Sequence, residues 1–500
     1  MTWPEPGKLT IDGRWFRDRE GRARWLRGVN LGGDCKLPAI PDGHTWRPTD
    51  FSDHRTVSFV GRPAPLAEID SHLARIAGWG FNCLRLLTTW EAVAHAGPGA
   101  RDEAYLDYFR TVCRKAGQHG LHVFVDFHQD VWSRMSGGDG APGWTFEAVG
   151  LDFTQFDAAD AAHVMQYRYD AARGGLQPSY PQMSWASNYR LPANGIMWTL
   201  FFAGDVFAPS LRIDGQGIGS WLQAQYLDAV QAVAERLADL DHVVGFDSLN
   251  EPGSGWIGQR LDRAAKAISG PMLSPLDGLA MAAGIPRTVP VAELGRGHGG
   301  TRMLNAGALP IWLPGHVCPF RAAGAWDIDR QGQPVALQPD YFRLVGSEPV
   351  DHEAMFMRPF FHRVADTVRA VRADWLLFAE LDPFAAMRGD HGFPEPMPAA
   401  TVNAAHWYDL GALVTKRFDP SCHVDVIGAS SLHGPEAIRS NYIGQLERLR
   451  RVGDRLGKGA PTLIGEFGIP FDMNDASAYA AWAGGDRRPS VWQAQTEVLS

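Results

Sequence analysis

Apolar residues along this chain fall into short, continuous runs alternating with stretches of helical spacing. Leu9 to Asp12 and Arg14 to Phe16, joined at Gly13, alternate like a small hairpin, and Arg24 to Leu31 predicts a first buried strand. Leu66, Ile69, Leu73 and Ile76 give Pro65 to Trp79 a helical stripe that Gly80 ends before the strand Phe81 to Leu87. The same alternation returns as the helix Tyr105 to Gln118, closed by Gly120, and the strand Leu121 to Phe127. It then breaks for a long insertion, about 129–219, and resumes with the helix Trp221 to Leu240 and the strand Val243 to Leu249. A second insertion, about 253–350, precedes the helix His352 to Ala373, strands Trp375 to Glu380 and Thr401 to His406, the helix Glu436 to Val452, and the strand Thr462 to Glu466.

Strands alternating with helices call for a parallel sheet, because each crossover lays its helix on a sheet face. Seven such units predict an α/β fold, the (β/α)8 barrel, occupying residues 1–500 with its two insertions as functional walls. No eighth strand is visible in the 34 residues after Glu466, which read as a loop, Ile469 to Gly485, and a helix start, Ser490 to Leu499. The expectation is a chain that stops early or a barrel that closes unusually.

Composition narrows the function classes. The net charge of -9, from 47 basic and 56 acidic residues, offers no basic field for nucleic acid. The five cysteines are scattered without a C-x-x-C pair, which disfavours a disulfide framework or a zinc site and suits the cytoplasm. The first residues carry no basic and apolar leader, and no run of 18 apolar residues follows. No cofactor motif appears, and nothing in the pattern specifies an oligomeric state.

The chemistry concentrates at strand exits, where a barrel builds its active site. Val243 to Leu249 runs into Asn250-Glu251-Pro252-Gly253, so a buried strand delivers an acid to its mouth, and Thr462 to Glu466 repeats the device about 215 residues later. Two carboxyl groups about 5 Å apart, one donating a proton and one attacking, are what glycosidic bond cleavage with retention needs. The acid/base requires a raised pKa and the nucleophile a depressed one. Lys36, Arg85, Asp126, His128, Asp130, Glu380, His406 and Tyr408 also sit at or near strand ends. Arg85, in an apolar strand, demands an acidic partner, either a catalytic carboxylate or a structural one such as Asp126. Glu380 is a rival nucleophile. His128-Gln129-Asp130 invites a metal reading, but no compensating His or Cys cluster supports it.

These motifs resemble glycoside hydrolase family 5, from Arg27-Gly28-Val29-Asn30 to Gly465-Glu466-Phe467-Gly468-Ile469-Pro470. Thr89-Trp90-Glu91-Ala92-Val93, Asp126-Phe127-His128-Gln129-Asp130-Val131-Trp132-Ser133-Arg134, Gly140-Ala141-Pro142-Gly143-Trp144 and Phe201-Phe202-Ala203-Gly204 are similar to the endoglycoceramidase-related branch, with its glucosylceramidases and steryl β-glucosidases. The resemblance implies Glu251 as acid/base, Glu466 as nucleophile, and Arg85, His128, Asn250, His406 and Tyr408 as their support. It implies that Lys36, Asp126 and Asp130 contact the sugar. The strand-eight tryptophan and the C-terminal β-sandwich of that branch are not seen in these 500 residues. The implied substrate is a glycoside or glycolipid met in transient contact with a membrane surface. The expected reaction is removal of glucose from a ceramide or sterol. The alternatives are a glucosidase for soluble glucosides or oligosaccharides and a non-catalytic sugar-binding protein. Trp198, Leu200, Phe201, Phe202 and Phe207, with Ile311, Trp312, Leu313 and Trp326, are the candidate apolar wall for the lipid.

Overall fold

The computed structural model describes residues 6–43, 51–170, 172–173, 185–265, 267, 270–293, 297–382, 392–470 and 472–477. The chain divides into two compact units, one of Met1–Lys8 with Arg27–Trp375 and one of Leu9–Leu26 with Leu376–Ser500.

In the first unit, strands β1 (Gly28–Leu31), β2 (Cys83–Thr89), β3 (His122–His128) and β4 (Val243–Asp247) pair in parallel, each with the next in sequence. The β1–β2 register sets Gly28 against Cys83, where a side chain would put its Cβ 2.1 Å from the Cys83 carbonyl oxygen, so only glycine fits. Every residue of β2, β3 and β4 is buried, which is why these strands read as unbroken apolar runs. Helix α1 (Leu66–Gly78) buries Ile69, Leu73 and Ile76. Helix α2 (Glu103–Gln118) starts where the Asp102 side chain accepts the Tyr105 N–H, a cap that satisfies one of the helix's open donors.

The predicted first strand is corrected. Arg24 to Leu31 is not one buried strand: Ala23–Arg24 pairs with Trp15–Arg17 in the second unit, and β1 alternates between exposed and half-buried. A run that reads as one strand along the sequence here crosses from one packing unit into the other.

Within the first insertion, helix α3 (Pro192–Phe207) is buried on nearly all sides. Helix α4 (Ile218–Leu237) follows it and leads into β4, and α5 (Arg358–Val371) follows the second insertion. The rings of Trp132 and Trp198 lie 5.0 Å apart, Phe201 packs 5.6 Å from Phe360, and Phe207 packs 5.4 Å from Phe342. Trp198, Leu200, Phe201, Phe202, Phe207, Ile311 and Trp326 are all buried, whereas Trp312 and Leu313 are half-buried. The buried runs are thus packed into the core of the unit, where Trp198 and Phe201 also line a cavity beside Phe127, His128 and Gln129. Phe202→Ser is expected to destabilise the fold by about 3–5 kcal/mol, read as a shift of the urea unfolding midpoint. A near-neutral result would return Phe202 to the list of ligand-facing residues.

In the second unit, Thr10–Asp12, Trp15–Arg17 and Ala23–Arg24 form the predicted hairpin plus a third strand. Strands β5 (Leu376–Ala379) and β6 (Thr401–Asn403) pair in parallel. The predicted seventh strand, Thr462 to Glu466, is reduced to parallel bridges of Asn403 with Thr462 and of His406 with Glu466. Its ladder nonetheless persists: Leu463 N–H donates to the Asn403 carbonyl at 2.9 Å and Gly465 N–H to that of Ala405 at 2.8 Å. Helix α6 (Pro435–Arg455) packs Ile438, Tyr442 and Leu449 with Trp407 and Phe418 into this unit's core. The predicted helix from Ser490 lies outside the described residues, as does most of the loop before it.

Candidate active site

The exits of β3 and β4 carry strained backbone. Val131, Trp132 and Glu251 have φ of 46°, 77° and 36°, in the left-handed region that non-glycine residues avoid and a β-branched residue most of all. Gln129 clamps this strain from the side. Its Nε2 donates to the carbonyls of Asn250 and Glu251, both at 2.8 Å, and its Oε1 accepts the Trp132 N–H at 2.9 Å. The Tyr189 hydroxyl adds a bond of 3.2 Å to the Glu251 carbonyl. The backbone that carries Glu251 is therefore held by two side chains that sequence reading left out.

Between these exits runs a chain of ionisable groups of alternating sign. Asp247 Oδ2 lies 3.2 Å from one Arg85 nitrogen, and Asp126 Oδ2 lies 3.2 Å from the other. Asp126 Oδ2 next meets His128 Nδ1 at 2.8 Å, and His128 Nε2 faces Asp130 Oδ2 at 3.5 Å. Asp130 contacts the Lys36 ammonium, which lies 3.8 Å from Asp139 Oδ2. Arg85 also donates to Asn30 Oδ1 at 3.0 Å and to Asn250 Oδ1 at 2.8 Å, while Asn250 Nδ2 donates to the Gln129 carbonyl at 2.8 Å. The Asn250 amide is thereby fixed with its oxygen toward the guanidinium.

Burial works against the His128 imidazolium, and so does the Lys36 charge, but Asp126 and Asp130 outweigh both and push its pKa up to about 10. Burial likewise acts upward on Asp130, yet Lys36 and His128 pull its carboxyl well below the usual range. Asp139 goes the other way: burial raises it, Lys36 opposes, and the neighbouring Asp130 charge helps bring it to about 8. His128, Asp130 and Asp139 place ligand atoms within 4.8 Å of one another, but the cation already among them is the Lys36 ammonium.

In the second unit, the Tyr408 hydroxyl donates to Glu466 Oε2 at 3.0 Å, and His406 Nδ1 stands 3.7 Å from the same oxygen. His406 Nε2 meets Glu380 Oε1 at 3.0 Å. Glu380 is 2 % exposed and Glu466 15 %, so Glu466 is the accessible carboxylate and Glu380 the buried brace behind the imidazole. A histidine held between two carboxylates is oriented by one and faces the other.

The predicted residues thus gather in two groups: Lys36, Arg85, Asp126, His128, Asp130 and Asn250, with the Glu251 backbone, in the first unit, and His406, Tyr408 and Glu466 in the second. The structure adds Asp247, Gln129, Tyr189 and Asp139, and it places Glu380, the sequence's rival nucleophile, behind His406. Of the four added, only Asp247 carried a sequence signal, as an acid inside an apolar run.

Residues 44–166 match the family described as Cellulase (glycosyl hydrolase family 5). The chain is 34% identical to a glucosylceramidase of Rhizopus delemar, over 93% of its own length and 70% of the relative's. The chain belongs to glycoside hydrolase family 5. As a member of family 5 it is a glycoside hydrolase of the retaining type with the (β/α)8 fold. Within the family it groups with the fungal glucosylceramidases and steryl glucosidases. It is 32% identical to the ergosteryl-beta-glucosidase of Saccharomyces cerevisiae over 95% of the chain and 69% of that protein. The crystal structure of Cryptococcus neoformans sterylglucosidase 1 superposes with a TM-score of 0.86 at 31% identity, over 97% of this chain and 72% of that one.

Proposed function

We propose that this glycoside hydrolase removes glucose from a lipid aglycone, a ceramide or a sterol, with Glu251 as acid/base and Glu466 as nucleophile. The observation that carries the roles is the contrast between the two carboxyl settings. Glu466 receives the Tyr408 hydroxyl and faces His406, which favours an ionised, attacking carboxylate. Glu251 sits on strained backbone clamped by Gln129, which fixes where its proton is delivered. Attack by Glu466 on the anomeric carbon forms a glycosyl ester while Glu251 gives its proton to the departing lipid oxygen. Glu251 then takes a proton from water, whose oxygen attacks the same carbon and frees Glu466. His406 and Tyr408 hold the nucleophile, Arg85 and His128 set the charge pattern around Asn250, and Lys36, Asp126 and Asp130 hold the sugar hydroxyls. The reaction takes place in the cytoplasm, on substrate reached by transient contact with a membrane surface. No described helix is long and apolar enough to cross one.

The lipid aglycone is supported by the glucosylceramidase and ergosteryl-beta-glucosidase matches over more than nine-tenths of the chain. The buried insertion aromatics no longer add to it, which keeps a soluble glucoside as the second reading. A hydrolysis screen decides between them. Glucosylceramide or steryl glucoside in mixed micelles should be cleaved with a kcat/KM at least about tenfold above cello-oligosaccharides, a difference near 1.4 kcal/mol in transition-state binding. Preference for the oligosaccharides, or for a galactoside over the glucoside, would overturn the reading.

A further inference from the structure

We propose that Asp139 is a positioning residue that stays protonated at neutral pH and so keeps the Lys36 ammonium paired with Asp130 alone, tying the hold on the sugar to the proton it carries. The argument starts from charge balance. Along the chain Asp247, Arg85, Asp126, His128, Asp130, Lys36, Asp139, three cations stand against four carboxyl groups, and Asp139 is the terminal one. The other three each lie within 3.5 Å of a cationic nitrogen, whereas Asp139 reaches its nearest, Lys36, at 3.8 Å. Its side chain is 1 % exposed, and its Oδ1, like those of Asp126 and Asp247, is buried without a hydrogen-bond partner, so the distance to a cation is what sets it apart. An ionised oxygen in that setting is strongly disfavoured, and a carboxylic acid is not.

The fold places Asp139 there deliberately. Its N–H and carbonyl exchange hydrogen bonds of 3.0 and 3.1 Å with Asp130. The flanking glycines permit the approach, since a Cβ on Gly138 would come 2.0 Å from the Asp130 carbonyl oxygen and one on Gly140 2.5 Å from Gln129 Cβ. The groups that face the Asp139 carboxyl are Lys36 and Cys35 from the turn Gly33–Lys36, and His128 and Asp130 from β3 and its exit. Cys35 is itself buried with a raised pKa, for burial above all and then for Asp139, so it supplies no compensating charge. With Asp139 protonated, three cations balance three carboxylates. Loss of the proton leaves Lys36 shared between two carboxylates and the cluster with one uncompensated negative charge.

Two measurements test this, and only the first rests on the glucosidase reading. In the wild type, KM for an aryl glucoside should rise about tenfold between pH 7 and 9 while kcat falls less than twofold beyond the common limb set by the catalytic pair. Asp139→Asn, whose amide copies the protonated acid, should lose that rise and recover most of the affinity that Asp139→Ala forfeits at pH 6.5. The second measurement is thermal melting. The folded state keeps the proton up to about pH 8, whereas an unfolded aspartate releases it near pH 4. Native stability therefore falls as pH rises between those values, and Asp139→Asn should flatten the fall in Tm from pH 5 to 9. Equal alkaline rises in KM for wild type and Asp139→Asn, or unchanged Tm slopes, would overturn the proposal. So would failure of Asp139→Asn to fold at pH 6.5, since a protonated acid tolerates amide replacement. If no glucoside is turned over at all, the melting comparison still decides whether Asp139 holds its proton.

Discussion

Glu466→Ala should lose turnover by about 10³-fold or more on every glucoside, because the glycosyl ester has no atom to form on. The Ala side chain leaves room for a small anion, so azide should restore part of the rate and yield the glycosyl azide with inverted anomeric configuration. Glu251→Ala should behave differently. Aglycones that leave without protonation, such as dinitrophenol, should keep most of the first step, and a sterol or ceramide should lose about 10³-fold. Tyr408 and His406 both address Glu466, the latter braced by Glu380, so Glu380→Gln should produce a smaller loss than Glu466→Ala. Undiminished activity in Glu466→Ala, or azide rescue in Glu380→Ala instead, would overturn the assignment.

Arg85→Met should destabilise the first unit by about 3–5 kcal/mol, because it leaves the buried Asp247 carboxyl without its cation and Asp126 with His128 alone. Asp126 and Asp247 are both 0 % exposed and share this one guanidinium. Adding Asp247→Asn should recover part of the loss, since the amide needs no cation. Arg85→Lys should recover less than full stability, because one ammonium cannot span Asn30, Asp126, Asp247 and Asn250 as the guanidinium does. Urea midpoints at pH 8 read all three variants. A loss under about 1 kcal/mol at pH 8 would mean that the carboxyls are not held as anions by Arg85.

The sequence by itself determined which segments are strands and helices through most of the chain, and that acids stand at two strand exits. It could do so because apolar spacing is local: β2, β3 and β4 are buried along their whole length, and full burial writes a continuous run. Glu251 was legible for the same reason, as a polar residue at the end of such a run, and Glu466 as the acid ending a short apolar run that is only half-buried over Thr462 to Ile464. What the run cannot write is the neighbour across space. Arg24 to Leu31 looked like one strand, yet its two ends pack in different units. Phe202 and Phe207 looked available to a ligand until Phe360 and Phe342 filled the space beside them. Asp139, in Gly138-Asp139-Gly140, had only the look of a turn. Its place at the end of an alternating line of charge, with Lys36 on one side and Asp130 hydrogen-bonded to its backbone, exists only once the exit of β3 folds back on itself. A buried charge is stabilised or neutralised by whatever stands within a few ångströms, whatever the separation along the chain. That is why the carriers of the chemistry were readable from the sequence and the groups that tune them were decided by the tertiary structure.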